Sequence, residues 1–285
     1  MSEQEGFRPT GGRAKGGRCA LCGAQAKLTK AHVPPKAAFN KGSFSWGGTT
    51  GDSRLAHGRP RLGGASLYAH CEPCRASTSP WDDEYIRWAY SFANVLLNSQ
   101  WKGQRTQVEG TLSEVRPGRF IRSALAGMTA LAPKLIDSHP GLIRAVREGV
   151  PSPPPEDIRF LMAVAPDGAA AIVEGAHEGL AVHMSLTQDG SGRRMTATVP
   201  TISAVMHFPP FSLLLADRQL VSSLPYVDCT EWLQLGVEDL ADVQVVFPVV
   251  DLPKDHERTG SRLDASIQRS SCLNSECATS ARPGG

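Results

Sequence analysis

The sequence lacks any hydrophobic run long enough to cross a bilayer. No apolar stretch approaches the ~20 residues that a membrane-spanning helix needs. The N-terminal stretch MSEQEGFRPTGGRAKGG also lacks the apolar centre of a secretory signal peptide. We therefore expect a cytoplasmic protein that has no membrane partner.

Aromatic residues are few, at 6% of the chain, but hydrophobic residues as a whole make up 41% of its 285 residues. A chain of this length and composition can bury a sizeable core, so it is predicted to be globular, with one large or two ordinary domains.

The chain has almost no net charge, at +2, but its charges are unevenly distributed. Residues 1–61 contain eleven Lys or Arg against three acids, whereas the remainder contains 19 basic and 25 acidic side chains. Concentrated basic charge favours a polyanion partner, because each cation placed on a phosphate releases condensed counterions. A basic arm with no partner is the alternative.

Four of the seven cysteines form two pairs whose spacing is typical of a metal site: Cys19-x-x-Cys22 and Cys71-x-x-Cys74. In a reducing compartment such pairs are metal ligands more often than disulfides. Gly23 favours a sharp turn after the first pair, because glycine tolerates positive φ. The 48 intervening residues exceed the usual ~15–20 of a zinc ribbon and indicate an insertion. We predict one structural zinc ion held by all four thiolates, which contributes folding energy.

Composition divides the chain into five segments. We predict a disordered basic arm (1–17), a cysteine-containing domain (18–100), a helical region (101–150), a β-rich module (151–253) and a disordered tail (254–285).

The clearest helix signal follows the second cysteine pair. Ser79 is a predicted N-cap, Pro80 suits the first helical position, and Asp82 completes a capping-box-like arrangement. Apolar side chains then recur at spacings of three and four up to about Leu97. They are Tyr85, Trp88, Phe92, and Val95 or Leu96.

Two more helices and a sheet are predicted downstream. The helices lie around Phe120 to Leu131 and from about Ser138 to Gly149. The run VPSPPPED marks a joint, because proline has no N–H to donate. Strand-like runs follow it: IRFLMAV, AAAIVEG, GLAVHMSLT, RRMTATV, FSLLLA and VQVVFPVV. The predicted fold class is therefore α+β, with a C-terminal antiparallel sheet module.

The segments CALCG, LTKAHVPPK, SLYAHCEPCR and DDEY together resemble the zinc-stapled HNH endonucleases. The resemblance covers residues 18 to about 92. It implies a ββα-metal unit in which structural zinc flanks the active site and His32 is the general base. That base would take a proton from the water that attacks a DNA phosphorus, while Mg²⁺ or another divalent ion stabilises the developing charge.

Three positions depart from the family's pattern. Ala31 stands where the family has an acidic metal ligand, Ser66 where it has an asparagine, and Arg75 where it has the last metal ligand. Alanine offers no ligand atom, and Arg75 places a fixed positive charge where the ion belongs.

Three interpretations of these departures stay open. Other side chains can replace the missing ligands, of which Asp82 and Asp83 lead, followed by Glu84 and His70; the acids alternatively only favour a helix start. Arg75 can instead clamp a phosphate, together with Lys30 and Lys36. Finally, the chain can be an inactive zinc-stapled module that binds DNA or another partner.

Overall fold

The computed structural model describes residues 15–41, 43–44, 47–49, 55–57, 63–98, 106–165, 171–173, 202–250 and 267–268. The disorder predicted for residues 1–14 and for most of the tail falls outside these ranges.

The N-terminal elements centre on a three-stranded antiparallel sheet. In chain order they are β1 (Gly16–Arg18), β2 (Gln25–His32), β3 (Ser43–Phe44), β4 (Gly47–Thr49), β5 (Leu55–His57), β6 (Ser66–Cys71), α1 (Glu72–Thr78), a 3-10 turn (Ser79–Trp81) and α2 (Asp82–Asn98). The sheet order is β1-β2-β6, and β4 pairs with β5. Gly16 and Gly17 pair with Lys27 and Ala26, so they belong to a strand and not to the predicted arm.

The helical segment after the second cysteine pair begins earlier than predicted. Cys71 has extended backbone angles, and the chain turns helical at Glu72, with Pro73 in the first turn. Ser79 has helical angles inside the 3-10 turn and is therefore not an N-cap. The prediction was wrong because Pro80 read as a helix start, whereas a short 3-10 turn accommodates it between two helices.

The middle of the chain combines one strand with three helices: β7 (Gln107–Val115), α3 (Pro117–Leu131), α4 (Leu135–Ser138) and α5 (Pro140–Glu148). The two predicted helices are confirmed as α3 and α5, and α5 ends at Gly149 with a positive φ of 69°. Strand β7 was not predicted, because the sequence there contains charged and glycine residues and reads as a break.

The C-terminal part contains a five-stranded antiparallel sheet in the order β12-β8-β11-β10-β9. The elements are β8 (Ile158–Val164), β9 (Ala171–Val173), β10 (Ile202–Phe208), β11 (Phe211–Asp217), a 3-10 turn (Arg218–Ser223), β12 (Val227–Asp228), a second 3-10 turn (Thr230–Gln234), β13 (Ala241–Pro248) and β14 (Ile267–Gln268). Strand β13 pairs with β7, and β14 pairs with β3, outside this sheet. The predicted strands in GLAVHMSLT and RRMTATV lie outside the described residues.

Helix α3 lies at the centre of the molecule, because it is buried on almost every side. Its Phe120 ring stacks on Trp88 of α2 at 4.4 Å between centroids, and on Tyr85 at 5.2 Å. Phe92 contacts Phe211 of β11 at 5.2 Å. Each such side chain removed from water contributes about 1.5–3 kcal/mol. One continuous apolar core therefore joins the cysteine-containing part to the C-terminal sheet.

The α+β class is confirmed, since helices and antiparallel strands share this core. Within the ranges given above, no helix has both the length and the apolar character to cross a membrane.

Candidate metal centre and the His32 face

The four cysteines that were predicted to bind one metal ion have their sulfur atoms close together. Cys19 and Cys22 lie in the turn between β1 and β2, Cys71 ends β6, and Cys74 lies in the first turn of α1. All four sulfurs lie within 4.8 Å of one another, and the Sγ atoms of Cys22 and Cys71 are 3.7 Å apart. A tetrahedral ion with Zn–S bonds of ~2.3 Å needs sulfurs about 3.8 Å apart. The cluster can therefore hold a metal ion such as zinc.

Backbone N–H groups close the turn of the first cysteine pair and favour the thiolate form of Cys19. Gly23, at a φ of 75°, donates its N–H to the Cys19 carbonyl at 2.9 Å and closes the turn. The N–H of Cys71 points at the Cys19 sulfur at 3.3 Å. Burial acts to raise the pKa of Cys19, but hydrogen bonds from backbone N–H groups lower it to about 7. Cys19 is thus readily available as a thiolate.

In the second cysteine pair, Cys71 and Cys74, burial determines the direction of the pKa shifts. Burial raises the pKa of Cys71 and raises that of Cys74 further. Neighbouring thiolates oppose each other's ionisation, so the group needs a cation before all four can ionise.

His32 ends strand β2 and lies on a polar face of the β2–β6 pair. Lys30 lies opposite Tyr68, and His32 lies opposite Ser66. Because strand side chains alternate, these four share one face, which we call the His32 face. Ser66 and Tyr68 are half-buried, whereas Leu67 and Ala69, on the other face of β6, are buried in the core.

The charges around His32 are positive. Burial lowers the pKa of His32 below its usual value, and three neighbouring cations lower it further: Lys30, Lys36 and Arg75. Of these cations, Arg75 also faces the carboxylate of Glu72, with 4.0 Å between its Nη1 and Glu72 Oε2. The face therefore favours an anion over a cation.

The backbone of Gly63 acts on the imidazole of His32. A hydrogen bond with it raises the pKa of the ring, against the other influences. Such a bond stabilises the protonated ring when a ring N–H donates to a carbonyl. In a neutral imidazole the second nitrogen is then an acceptor.

Asn40 holds the loop that contains Gly63. Its side-chain NH₂ donates to the carbonyls of Pro34 at 2.7 Å and of Ala65 at 2.9 Å, and its Oδ1 accepts the N–H of Ala65 at 2.7 Å. Gly64 packs so closely that a Cβ there would lie 2.1 Å from the Asn40 carbonyl oxygen. The loop after His32 and the start of β6 are thereby fixed together.

The acids of α2 have separate environments. Asp82 accepts a hydrogen bond from Ser123 at 2.6 Å, and burial raises its pKa to about 6, while Ser123 and the charge of Arg75 act to lower it. Asp83 is exposed. Glu84 is buried and accepts bonds from Arg87, from the Trp88 indole at 2.7 Å and from the backbone N–H of Arg116 at 3.0 Å.

His70 is a core residue. It is buried, its Nε2 lies 3.1 Å from the Thr129 hydroxyl, and burial lowers its pKa to about 4. Within the described part of the chain, the four cysteines form the one close group of three or more metal-ligating side chains. That group includes neither His70 nor an acid of α2.

Sequence reasoning missed Tyr68, Gly63 and Asn40. The alternation in SLYAHC could have placed Tyr68 on the face of Ser66, because side chains one residue apart point to opposite sides. Gly63-Gly64 signalled a turn but not its contact with His32. No local pattern signals the bonds of Asn40 to Ala65, because the two residues are 25 positions apart.

Comparisons with protein-family models, with curated proteins and with solved structures find no match to this chain.

Proposed function

We propose that the chain is a zinc-stapled nucleic-acid-binding protein whose His32 face binds the phosphate backbone. The observation that carries this proposal is the set of cations that act on His32: Lys30, which the β2–β6 register places on the same face, and Lys36 and Arg75. Lysine and arginine supply most of the affinity of proteins for nucleic acid, because they displace counterions from phosphates.

Structural zinc has a positioning role in this proposal. The four cysteines tie the turn before β2 to the end of β6 and the start of α1. The staple thereby fixes the two strands that carry the His32 face and the helix that carries Arg75. Arg75 is exposed, and its fork-shaped guanidinium can bind two phosphate oxygens at once.

The second candidate is the metal-dependent HNH-like endonuclease acting on DNA. The hydrogen bond between His32 and Gly63 favours it, because a general base needs a fixed tautomer. The order β2, β6, α1 is also that of a ββα-metal unit. Against it stands the ligand set: Ala31 has no ligand atom, and Arg75 occupies the position of a ligand.

Fluorescence anisotropy with labelled oligonucleotides tests the binding proposal. The double variant Lys30→Gln/Arg75→Gln is expected to bind roughly tenfold or more weakly, and to reduce the slope of log K against log salt by about one per lost phosphate contact. Arg218→Gln is the matched control, since Arg218 is exposed beside the five-stranded sheet. Equal weakening by the control would contradict the assignment of the His32 face.

A plasmid-nicking assay with Mg²⁺ or Mn²⁺ tests the second candidate. The endonuclease hypothesis predicts nicking that His32→Ala lowers by roughly a hundredfold or more. Binding without nicking by the wild type would leave the first proposal standing alone. Nicking that His32→Ala retains in full would indicate a contaminant and end the assignment of His32 as the base.

A further inference from the structure

We propose that the His32 face cleaves single-stranded RNA without a divalent ion, with the 2′-hydroxyl of the RNA as the nucleophile. This inference rests on the proposed binding of nucleic acid to the same face. It names both the substrate class and the reaction.

The first step of the argument is the chemistry that the face can perform. It combines one imidazole, one of whose nitrogens is an acceptor when the ring is neutral, with Lys30, which the β2–β6 register places on the same face, and with Lys36 and Arg75, whose charges act on the ring. Cations of this kind stabilise the negative charge that develops on the phosphoryl oxygens during the displacement. The face offers a base and an electrostatic clamp, whereas the one close group of three or more metal-ligating side chains in the described part of the chain is the four cysteines.

The second step concerns the nucleophile. DNA offers no nucleophile of its own, so its hydrolysis needs an activated water, which nucleases commonly obtain from a bound metal ion. RNA carries a 2′-hydroxyl next to each phosphate, and attack within one molecule avoids the entropic cost of bringing a water into place. A base and a cationic clamp suffice for that reaction, so RNA suits this face better than DNA.

The third step concerns the strand. Tyr68 is half-buried, packs in part against the apolar core, and lies directly across from Lys30, two residues from Ser66, which lies across from His32. An aromatic ring beside backbone-binding cations is the usual arrangement for stacking an unpaired base. A base in a duplex is already stacked on its neighbours, and the rigid A-form helix prevents the 2′-oxygen from aligning with the leaving group. We therefore assign a single strand.

The reaction balances without an additional reactant. The neutral imidazole of His32 takes the 2′-hydroxyl proton as the 2′-oxygen bonds to phosphorus. The bond from phosphorus to the 5′-oxygen breaks, and that oxygen takes a proton from solvent. The products are a 2′,3′-cyclic phosphate and a 5′-hydroxyl, after which the imidazolium releases its proton to solvent. Lys30, Lys36 and Arg75 bind the phosphate oxygens throughout.

The test uses the full chain loaded with zinc, in buffer freed of other divalent ions. Three labelled single strands of one sequence are compared: RNA, 2′-O-methyl RNA and DNA. We expect the RNA alone to be cleaved, mass spectrometry to find a 2′,3′-cyclic phosphate, and added Mg²⁺ to leave the rate within about twofold. All three strands are expected to bind, because all three carry the phosphates that the cations contact.

Variants assign the roles of the residues. His32→Asn is expected to lower cleavage by roughly a hundredfold or more while zinc content and RNA binding are kept. Tyr68→Ser is expected to raise KM roughly tenfold with kcat nearly unchanged, and Tyr68→Phe to restore KM. Cleavage that persists in His32→Asn would identify a contaminant and overturn the assignment.

The substrate controls separate this inference from the proposal beneath it. RNA that is bound but stays intact would overturn the inference and leave the binding function standing. Cleavage of 2′-O-methyl RNA would also overturn it, because that strand lacks the nucleophile. If none of the three strands binds, the proposed function itself fails.

Discussion

Burial and neighbouring groups give the histidines of this chain different roles. His70 and His207 are buried, and each contacts a hydroxyl group: Nε2 of His70 lies 3.1 Å from Thr129 Oγ1, and Nδ1 of His207 lies 3.0 Å from Ser212 Oγ. Burial lowers the pKa of both to about 4. His32 is only half-buried on a cationic face, so, unlike His70 and His207, it can reach a ligand.

The lowered pKa of His207 predicts part of the chain's acid sensitivity. Between its folded pKa of about 4 and its ordinary value of 6.5, the unfolded chain binds more protons, so the free energy of unfolding falls as pH decreases through that window. Wild type is expected to lose up to about 3 kcal/mol relative to His207→Gln between pH 7 and pH 4. Urea denaturation at several pH values measures this difference, and parallel curves for the two proteins would contradict it.

Arg122 is a buried cation held by carbonyl oxygens. Its guanidinium donates to the carbonyls of Gly118, Ala145, Val150, Leu233 and Leu235, and its burial lowers its pKa to about 10. These bonds join α3 to α5 and to the second 3-10 turn.

Replacing Arg122 is therefore expected to be costly. Arg122→Met leaves several buried carbonyls without a donor, which we expect to lower the free energy of unfolding by roughly 3–5 kcal/mol. Arg144→Met, on the exposed side of α5, is the matched control and is expected to cost less than about 0.5 kcal/mol. Denaturant unfolding of both variants checks the prediction, and similar losses would contradict it.

At the scale of the element, the two described ends of the loop between β2 and β6 hold each other in place. Asn40 bonds to Ala65 and packs against Gly64, and the backbone of Gly63 acts on His32. Gly64 has a φ of 82°, which side chains with a Cβ adopt at a cost. The loop thus couples backbone strain to the orientation of the base.

Gly64→Ala tests this coupling. The added Cβ would lie 2.1 Å from the Asn40 carbonyl oxygen, so the loop must shift, at an expected cost of roughly 1–3 kcal/mol in the free energy of unfolding. The backbone of Gly63 shifts with it, so the NMR-detected pKa of His32 should fall further as this hydrogen bond weakens. Gly16→Ala is the control, because no atom lies within 4 Å of its Cβ position. An unchanged His32 titration in Gly64→Ala would contradict the coupling.

At the scale of the molecule, the larger apolar core of the described residues includes members of the cysteine cluster. The sulfur-bearing residues Cys19, Cys71 and Cys74 belong to the same apolar cluster as the helices and the C-terminal sheet. Loss of a metal ion from the cluster should therefore affect the stability of the core, because the strands that it staples pack on α3.

Metal analysis and thermal unfolding test the staple. We expect one zinc ion per chain, and its removal by a chelator should lower the melting temperature by roughly 10 °C, since metal binding adds to the free energy of folding. Cys74→Ala should lose the zinc. Cys229→Ala is the matched control, because Cys229 is a buried free cysteine away from the cluster, and it should keep the zinc. Much less than one zinc in the wild type would contradict the four-cysteine site.

The amino-acid sequence by itself determined the features that depend on near neighbours along the chain. The spacing of the cysteine pairs, the apolar faces of α2 and α3, the end of α5 at Gly149 and the proline-rich joint all follow from contacts within a few residues. Local backbone preferences and side-chain periodicity are enough to predict them.

Tertiary structure alone decided which distant segments meet. It pairs β7 with β13 and brings the charges of Lys30, Lys36 and Arg75 and the backbone of Gly63 to act on His32. It also commits Asp82 to Ser123 and Glu84 to Trp88. Such contacts arise from burying one common core, so no local pattern signals them, and the cationic character of the His32 face depended on that packing.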